Sequence, residues 1–181
     1  MRGVREGLWR ESVGDWQNRH FWKILSRPYR HPVTKFLLAV HVIAAIVAVG
    51  PVTVAASMFP PAARRALAAP DDERALATTR LLHRICQVYA VVGVAVPVFG
   101  FATASDMGVL GDTWLIVSIA LTALAAVVLG ALVLPRQSAL VEGAGDRRAT
   151  VRLAMFTGIF NLLWATVTVL MIVRPGSTTG A

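Results

Sequence analysis

The stretch from Lys35 to Phe59 constrains the fold most, because it carries no charged side chain after Lys35. A transmembrane helix needs about 20 mostly apolar residues, each adding about 1.5 Å of length. This stretch is therefore long enough to cross a bilayer. It also contains a histidine, His41, and a Gly50-Pro51 pair, which is expected to disturb the regular helix.

Three later stretches share this apolar character, at about 83–104, 113–134 and 152–173. With the first span, about 35–59, they predict an all-α polytopic membrane protein, a bundle of four transmembrane helices. Only 15% of the 181 residues are charged, whereas a soluble domain has about 25%. We therefore expect a multi-pass protein of the cell membrane.

The formal net charge is +8, which in a soluble domain would suggest nucleic-acid binding. Here the arginines flank the apolar stretches and form no separate basic face, so we expect no nucleic-acid partner. We expect the Arg-rich loops and the tail to contact anionic lipids of the bilayer. The second loop has no Arg or Lys. Because basic loops favour the cytoplasm, the first and third loops should lie inside and both termini outside.

The two ends of the chain differ from its apolar middle. Residues 1–34 alternate basic residues with apolar ones such as Trp9 and Trp16 near helical spacing. This pattern predicts a basic amphipathic helix on the membrane surface, with a disordered tail as the alternative. A third interpretation is that the native protein starts at Val33, so that the preceding residues would not belong to it. Residues 176–181 are expected to be a disordered tail.

Prolines are expected to break or end the spans. Pro60 and Pro61 should end the first span, and Pro135 should end the third. Pro97 has no N–H group, so the Gly93 carbonyl should lose its helical partner and the second span should be broken there.

Small and polar residues predict where helices pack. Residues with small side chains four positions apart let helix backbones approach closely, and polar side chains bond across helices for about 0.6 kcal/mol each. We expect the small pairs at the interfaces of the bundle. These pairs are Ala126 with Gly130 and Ala154 with Gly158, and the expected interhelical polar contacts are Thr53, Gln87 and Asn161.

Two histidines are candidates for chemistry. His41 lies near the start of the first span, where it can ligate haem, relay a proton, or bond a neighbouring helix. His83 and Cys86 share one helix face, and Met58 should lie at the same membrane side. Imidazole, thiol and thioether together suit a soft metal such as Cu(I). Met58, which should lie at the membrane side of His83, is separated from His41 by about 25 Å of helix. One haem therefore cannot bind both His41 and His83.

No Asp, Glu, Lys or Arg lies deep in a span. This argues against an ion-coupled transporter that relies on a buried charge. The chain also has no Walker, H-E-x-x-H or G-x-S-x-G motif.

The opening of the first span, Phe36-Leu-Leu-Ala-Val-His41-Val-Ile-Ala-Ala-Ile, continues to Gly50-Pro51. It resembles an uncharacterised bacterial integral membrane family, the domain-of-unknown-function family numbered 2269. The basic first loop and the Leu82-His83-Arg84 entry to the second span fit that family as well. The resemblance covers about residues 33–175.

The position of His41 also looks like two more distant groups, the copper-resistance membrane proteins and the protoporphyrinogen-oxidase-like four-helix family. Those likenesses imply copper transfer or haem-linked redox chemistry. From the second family only His41 carries over. That family has a lysine in a later helix, and this chain has none after Lys35.

Three functions remain open on these grounds. The first is a non-enzymatic, membrane-embedded interaction or scaffold protein, acting as a homo-oligomer or with another membrane protein. The second is a haem- or copper-handling redox protein that uses His41, or His83 with Cys86. The third is a small-solute permease, indicated only by the proline kinks.

Overall fold

The computed structural model describes residues 31–176. From Leu37 on, the described residues form one compact unit by their contacts. Of the N-terminal tail expected over residues 1–34, residues 1–30 lie outside the described residues, and residues 31–34 belong to the first helix. Of the disordered tail expected over residues 176–181, residues 177–181 lie outside them.

The described chain is an all-α bundle. Its residues contain four helical stretches that are long and apolar enough to span a membrane. The first is a single helix, the second and third are each composed of shorter segments, and the fourth is again a single helix. The elements are α1 (His31–Ala68), α2 (Glu73–Val92), α3 (Ala95–Met107), α4 (Thr113–Val127), a π-helical segment (Val128–Val133), α5 (Leu134–Val141) and α6 (Arg147–Val173).

Helix α1 does not end at Pro60 and Pro61 but continues for two turns to Ala68. Pro60 is buried in the bundle, and the Arg64 side chain donates to its carbonyl oxygen at 3.3 Å. Ala63 is buried one turn after Phe59. Packing of these turns offsets the local cost of the prolines, which the sequence alone does not reveal.

The second stretch is interrupted between α2 and α3. Pro97 has no N–H group to donate to Gly93, and Val96 N–H donates to the Gly93 carbonyl instead, at 3.1 Å. This tighter hydrogen bond satisfies the carbonyl and redirects the chain. The break therefore falls at Gly93 and Val94, one turn before the proline.

The prediction that Pro135 ends the third helix is wrong. The chain passes through a π-helical segment, in which Leu134 N–H donates five residues back to Leu129, and it then continues as α5 with Pro135 in its first turn. The N–H group that Pro135 lacks falls at the change from π-helical to α-helical hydrogen bonding, where the regular i→i−4 pattern is already interrupted. The Arg136 side chain also donates to the Leu132 carbonyl at 2.8 Å.

The helices pack around a core of large side chains and alanines. The almost completely buried residues of this core include Ala56, Phe59, Val133, Leu153 and Phe160. Helix α6 packs against α4 and the π-helical segment, and α2 packs against α5.

Contrary to the prediction, the small pairs do not lie at these interfaces. Ala126, Gly130, Ala154 and Gly158 are all exposed on the outside of the bundle. A Cβ atom built on either glycine would meet nothing within 4 Å. Small-residue spacing identifies a face that a helix could approach, but it does not say whether that helix belongs to the same chain.

Candidate functional site

A buried polar cluster connects α2 to α5. The Nδ1 atom of His83 lies 3.1 Å from Oε1 of Gln137, and Nε2 of Gln137 donates to Sγ of Cys86 at 3.6 Å. On the other side of the ring, Oγ of Ser138 lies 3.2 Å from Nε2 of His83. Phe59 of α1 packs edge-on, with 6.4 Å between ring centroids. Gln137 and Cys86 are fully buried and His83 is 9% exposed. We call these residues (His83, Cys86, Gln137 and Ser138) the His83 cluster.

The His83 cluster can accommodate a proton without leaving a ring nitrogen unpaired. A neutral ring donates from Nδ1 to Gln137 and accepts the Ser138 hydroxyl proton at Nε2. A protonated ring donates from both nitrogens. Ser138 then accepts at Oγ and turns its own proton to the Leu134 carbonyl, 3.3 Å away. The hydroxyl rotor therefore adapts to both protonation states of His83.

The cluster exists because the third helical stretch continues past Pro135. Gln137 and Ser138 fall in residues predicted as loop, so they were missed as site residues. Their signal is weak but present. After Pro135, the buried positions Gln137 and Leu140 are three apart and belong to one helix face.

The proposed metal ligands are brought together only in part. His83 and Cys86 lie in one cluster, but Gln137 bonds to both of them. Both nitrogens of His83 are hydrogen-bonded, so a metal ion would have to displace Gln137 or Ser138. Met58 is 53% exposed on the outside of α1. Among the described residues, no group of three His, Cys, Asp or Glu side chains could hold a metal ion.

His41 lies against the start of α3. Its Nδ1 lies 2.9 Å from the Val96 carbonyl oxygen, which can only accept, so the proton of the neutral ring is on Nδ1. Gly100 makes this approach possible, because a Cβ atom there would lie 2.8 Å from Cε1 of His41. This arrangement leaves the Nε2 lone pair available. Histidines that ligate metals usually donate their other N–H to such an acceptor.

The three expected interhelical polar residues lie in different surroundings. Asn161 of α6 donates to the Ser57 hydroxyl of α1 at 3.0 Å. Thr53 is half-buried and Gln87 is exposed, and neither side chain hydrogen-bonds to another described residue. The Oδ1 atom of Asn161 and the Oγ1 atom of Thr157, one turn earlier, are buried without a hydrogen-bond partner among the described residues.

The basic residues of the first and third connections surround one end of the bundle. Arg136 also lies against Phe156 of α6, with its guanidinium carbon 4.4 Å from the ring centroid. Contact of the exposed arginines at this end with anionic lipids stays a prediction. These arginines are Arg64, Arg65, Arg74, Arg80, Arg84, Arg147, Arg148 and Arg152.

Comparison with known proteins adds no family to these observations. The resemblance to the family numbered 2269, based on the opening of the first span, therefore stays a prediction. No family model, no curated protein and no solved structure matches the chain.

Proposed function

We propose that this chain is a non-enzymatic, multi-pass membrane protein that acts by lateral association with other membrane-spanning helices. Its outer surface is apolar enough to face lipid. For example, Val91, Leu162 and Ile172 are each at least 70% exposed. The partner proposed for the first test is a second copy of the same chain, with another membrane protein as the alternative.

The observation that carries this proposal is the outer face of α6. Ala154, Gly158 and Ala165 are exposed at helical spacing, with Asn161 between them. A Cβ atom built on Gly158 would lie within 4 Å of no atom outside the adjoining residues and backbone of its own helix. Small residues at such spacing allow a second helix to pack closely by van der Waals contact, which drives association in lipid. Asn161 is only partly buried, and its Nδ2 donates within the bundle to Ser57 of α1.

The test is a change of Gly158 to a bulky residue. Gly158→Ile adds a side chain where the folded chain has open space, so the bundle should fold and a docked helix should be displaced. Ala102→Ile, on the exposed face of α3, adds similar bulk elsewhere. We expect subunit counting by single-molecule photobleaching in liposomes to show dimers for the unmodified chain and Ala102→Ile. Gly158→Ile should dissociate at least ten-fold more readily.

Two results would contradict the proposal. One is an unmodified chain that stays monomeric at every ratio of protein to lipid. The other is an equal effect of Gly158→Ile and Ala102→Ile, because the added bulk would then act without regard to the α6 face.

The hydrogen bond of His41 supports a second candidate, a haem- or copper-handling redox protein. Because Nδ1 donates to Val96, Nε2 is the atom that would ligate the metal through its lone pair. A haem iron or copper would supply one-electron transfer. The His83 cluster fits a metal less well, because both ring nitrogens are already bonded.

An absorption spectrum and a metal analysis separate the two functions. The protein is produced with haem precursor and copper supplied, and is purified in detergent. The association proposal predicts a colourless protein without stoichiometric metal. A haem band or one equivalent of copper that disappears in His41→Ala would favour the redox function instead.

A further inference from the structure

A cavity of about 270 Å³ lies at the arginine-rich end of the bundle. Its walls come from the last turns of α1, the first turns of α2 and the end of α5. Ligand pockets typically measure about 300–1,000 Å³, whereas about 10–15 Å³ is enough for one water molecule. The cavity is therefore too large for a single water and is near the lower limit for a small ligand.

The cavity is mainly apolar and has one charged side chain. Ala66, Leu76 and Leu140 contribute apolar walls. The Thr79 hydroxyl also lines the cavity, but it donates to the Ala75 carbonyl at 2.9 Å. Among the described residues that line the cavity, Arg80 is the only charged one. It is exposed, and it forms no salt bridge with another described residue.

The position of the cavity follows from the helical turns around it. Thr79 and Ala63 line it, and they lie one turn before His83 and one turn after Phe59. The cavity is thus one turn closer to the connections than the His83 cluster. The apolar part of the second span begins just beyond that level, at Ile85, and arginines follow on the outer side. In a bilayer this is the boundary between acyl chains and headgroups.

From these observations we infer that the cavity binds an amphiphile with one acyl chain and an anionic head. The apolar walls hold the first carbons of the chain, and the guanidinium of Arg80 pairs with the carboxylate or phosphate. Arginine suits this contact because its planar fork matches the oxygens of both groups. The inference requires insertion in a membrane but is independent of helix association.

The experiment uses photo-crosslinking of the full chain in phosphatidylcholine nanodiscs. The probe is a fatty acid of 16 carbons with a diazirine near its head, and a long-chain alcohol with the same diazirine is the uncharged comparison. Mass spectrometry maps the labelled peptides. Within residues 63–80, we expect the acid to label the chain at least five-fold more than the alcohol does. Unlabelled oleate and lysophosphatidic acid should compete, and inorganic phosphate should not.

Two variants test the site itself. Arg80→Gln should reduce labelling of the cavity by the acid at least five-fold, whereas Arg84→Gln should leave it unchanged. Arg84 is an exposed arginine one turn along α2 that does not line the cavity. Leu76→Trp should block labelling by filling the space, with circular dichroism as the check of folding. Because Arg80 is exposed, the Arg80→Gln result stands even if Leu76→Trp misfolds.

Competition also identifies the source of the anionic head. Stronger competition by oleate indicates a carboxylate, and stronger competition by lysophosphatidic acid indicates a phosphate. Equal labelling by the acid and the alcohol would overturn the inference, as would equal effects of the two arginine variants. Competition by inorganic phosphate would show that Arg80 binds anions without the acyl chain. This result would also contradict the inference. Gly158→Ile tests association separately, so either proposal can fail alone.

Discussion

Replacement of Gln137 by leucine should destabilise the bundle through the ring of His83. Gln137 is fully buried, and its amide bonds Nδ1 of His83 at 3.1 Å and Sγ of Cys86 at 3.6 Å. Leucine fills a similar volume but makes neither bond. Ser138 still pairs with Nε2 of the ring. In either neutral tautomer of His83, the buried Nδ1 atom then has no hydrogen-bond partner.

The magnitude follows from that unpaired nitrogen. A buried polar group left unsatisfied costs about 1–3 kcal/mol, and a hydrogen bond between membrane helices contributes about 0.6 kcal/mol on average. Because sulfur is a weak acceptor, loss of the Cys86 contact adds little. We expect Gln137→Leu to lower the free energy of unfolding by about 2 kcal/mol. This corresponds to about thirty-fold in the unfolding equilibrium constant.

Unfolding by SDS from mixed micelles, followed by tryptophan fluorescence and protease protection, measures this difference. Gln87→Leu is the matched control, because Gln87 is exposed and bonds no described side chain. It should change stability by less than about 0.5 kcal/mol. Adding His83→Phe to Gln137→Leu removes the unpaired nitrogen and keeps an aromatic ring beside Phe59. The double variant should therefore recover about 1 kcal/mol.

Two outcomes of these measurements would refute the reasoning about the His83 cluster. One is that Gln137→Leu and Gln87→Leu unfold at the same SDS fraction. The other is that His83→Phe destabilises the Gln137→Leu background further, since the ring would then be stabilised by something other than its hydrogen bonds.

The same unfolding measurement tests two further predictions. In Gly100→Ala the new Cβ atom would lie 2.8 Å from the His41 ring, so we expect a loss of about 1–3 kcal/mol from overpacking. Gly130→Ala, which meets nothing within 4 Å, should be neutral or slightly stabilising, and equal effects would contradict the tight contact. Asp72→Ala removes the side-chain acceptor for two N–H groups at the start of α2 and should cost about 1 kcal/mol. Asp71→Ala at the neighbouring exposed position should cost less, and equal losses would exclude capping as the cause.

The sequence predicts the four long helices well because their signal is strong and local. Uncharged runs of about 20 residues have few alternatives to a spanning helix. The connection before α2 is also predictable, since Asp71, Asp72 and Glu73 are typical of a helix start, and Asp72 accepts from two N–H groups there. These features depend on neighbouring residues only.

The candidate site depends instead on contacts between distant residues. Gln137 lies 51 residues from Cys86 in the chain, and it reaches the thiol only because the helix continues past Pro135. Whether a proline ends a helix depends on the packing of the following turns and on the π-helical segment before it. The orientation of the small-residue pairs likewise depends on which face of each helix the core occupies. The spacing of residues along the sequence does not by itself decide either point.

The contacts of the two histidines narrow the choice between the functions. His83 has both ring nitrogens bonded within the bundle, so its polar groups satisfy one another and need no ligand. His41 bonds the Val96 carbonyl through Nδ1, and its Nε2 has no hydrogen-bond partner among the described residues. Val96 is 13 residues beyond His83 along the second stretch, or about 20 Å at helical rise, so the two rings cannot serve one cofactor. The redox alternative therefore rests on His41 alone, and an absorption spectrum and a metal content that are both unchanged in His41→Ala would remove it.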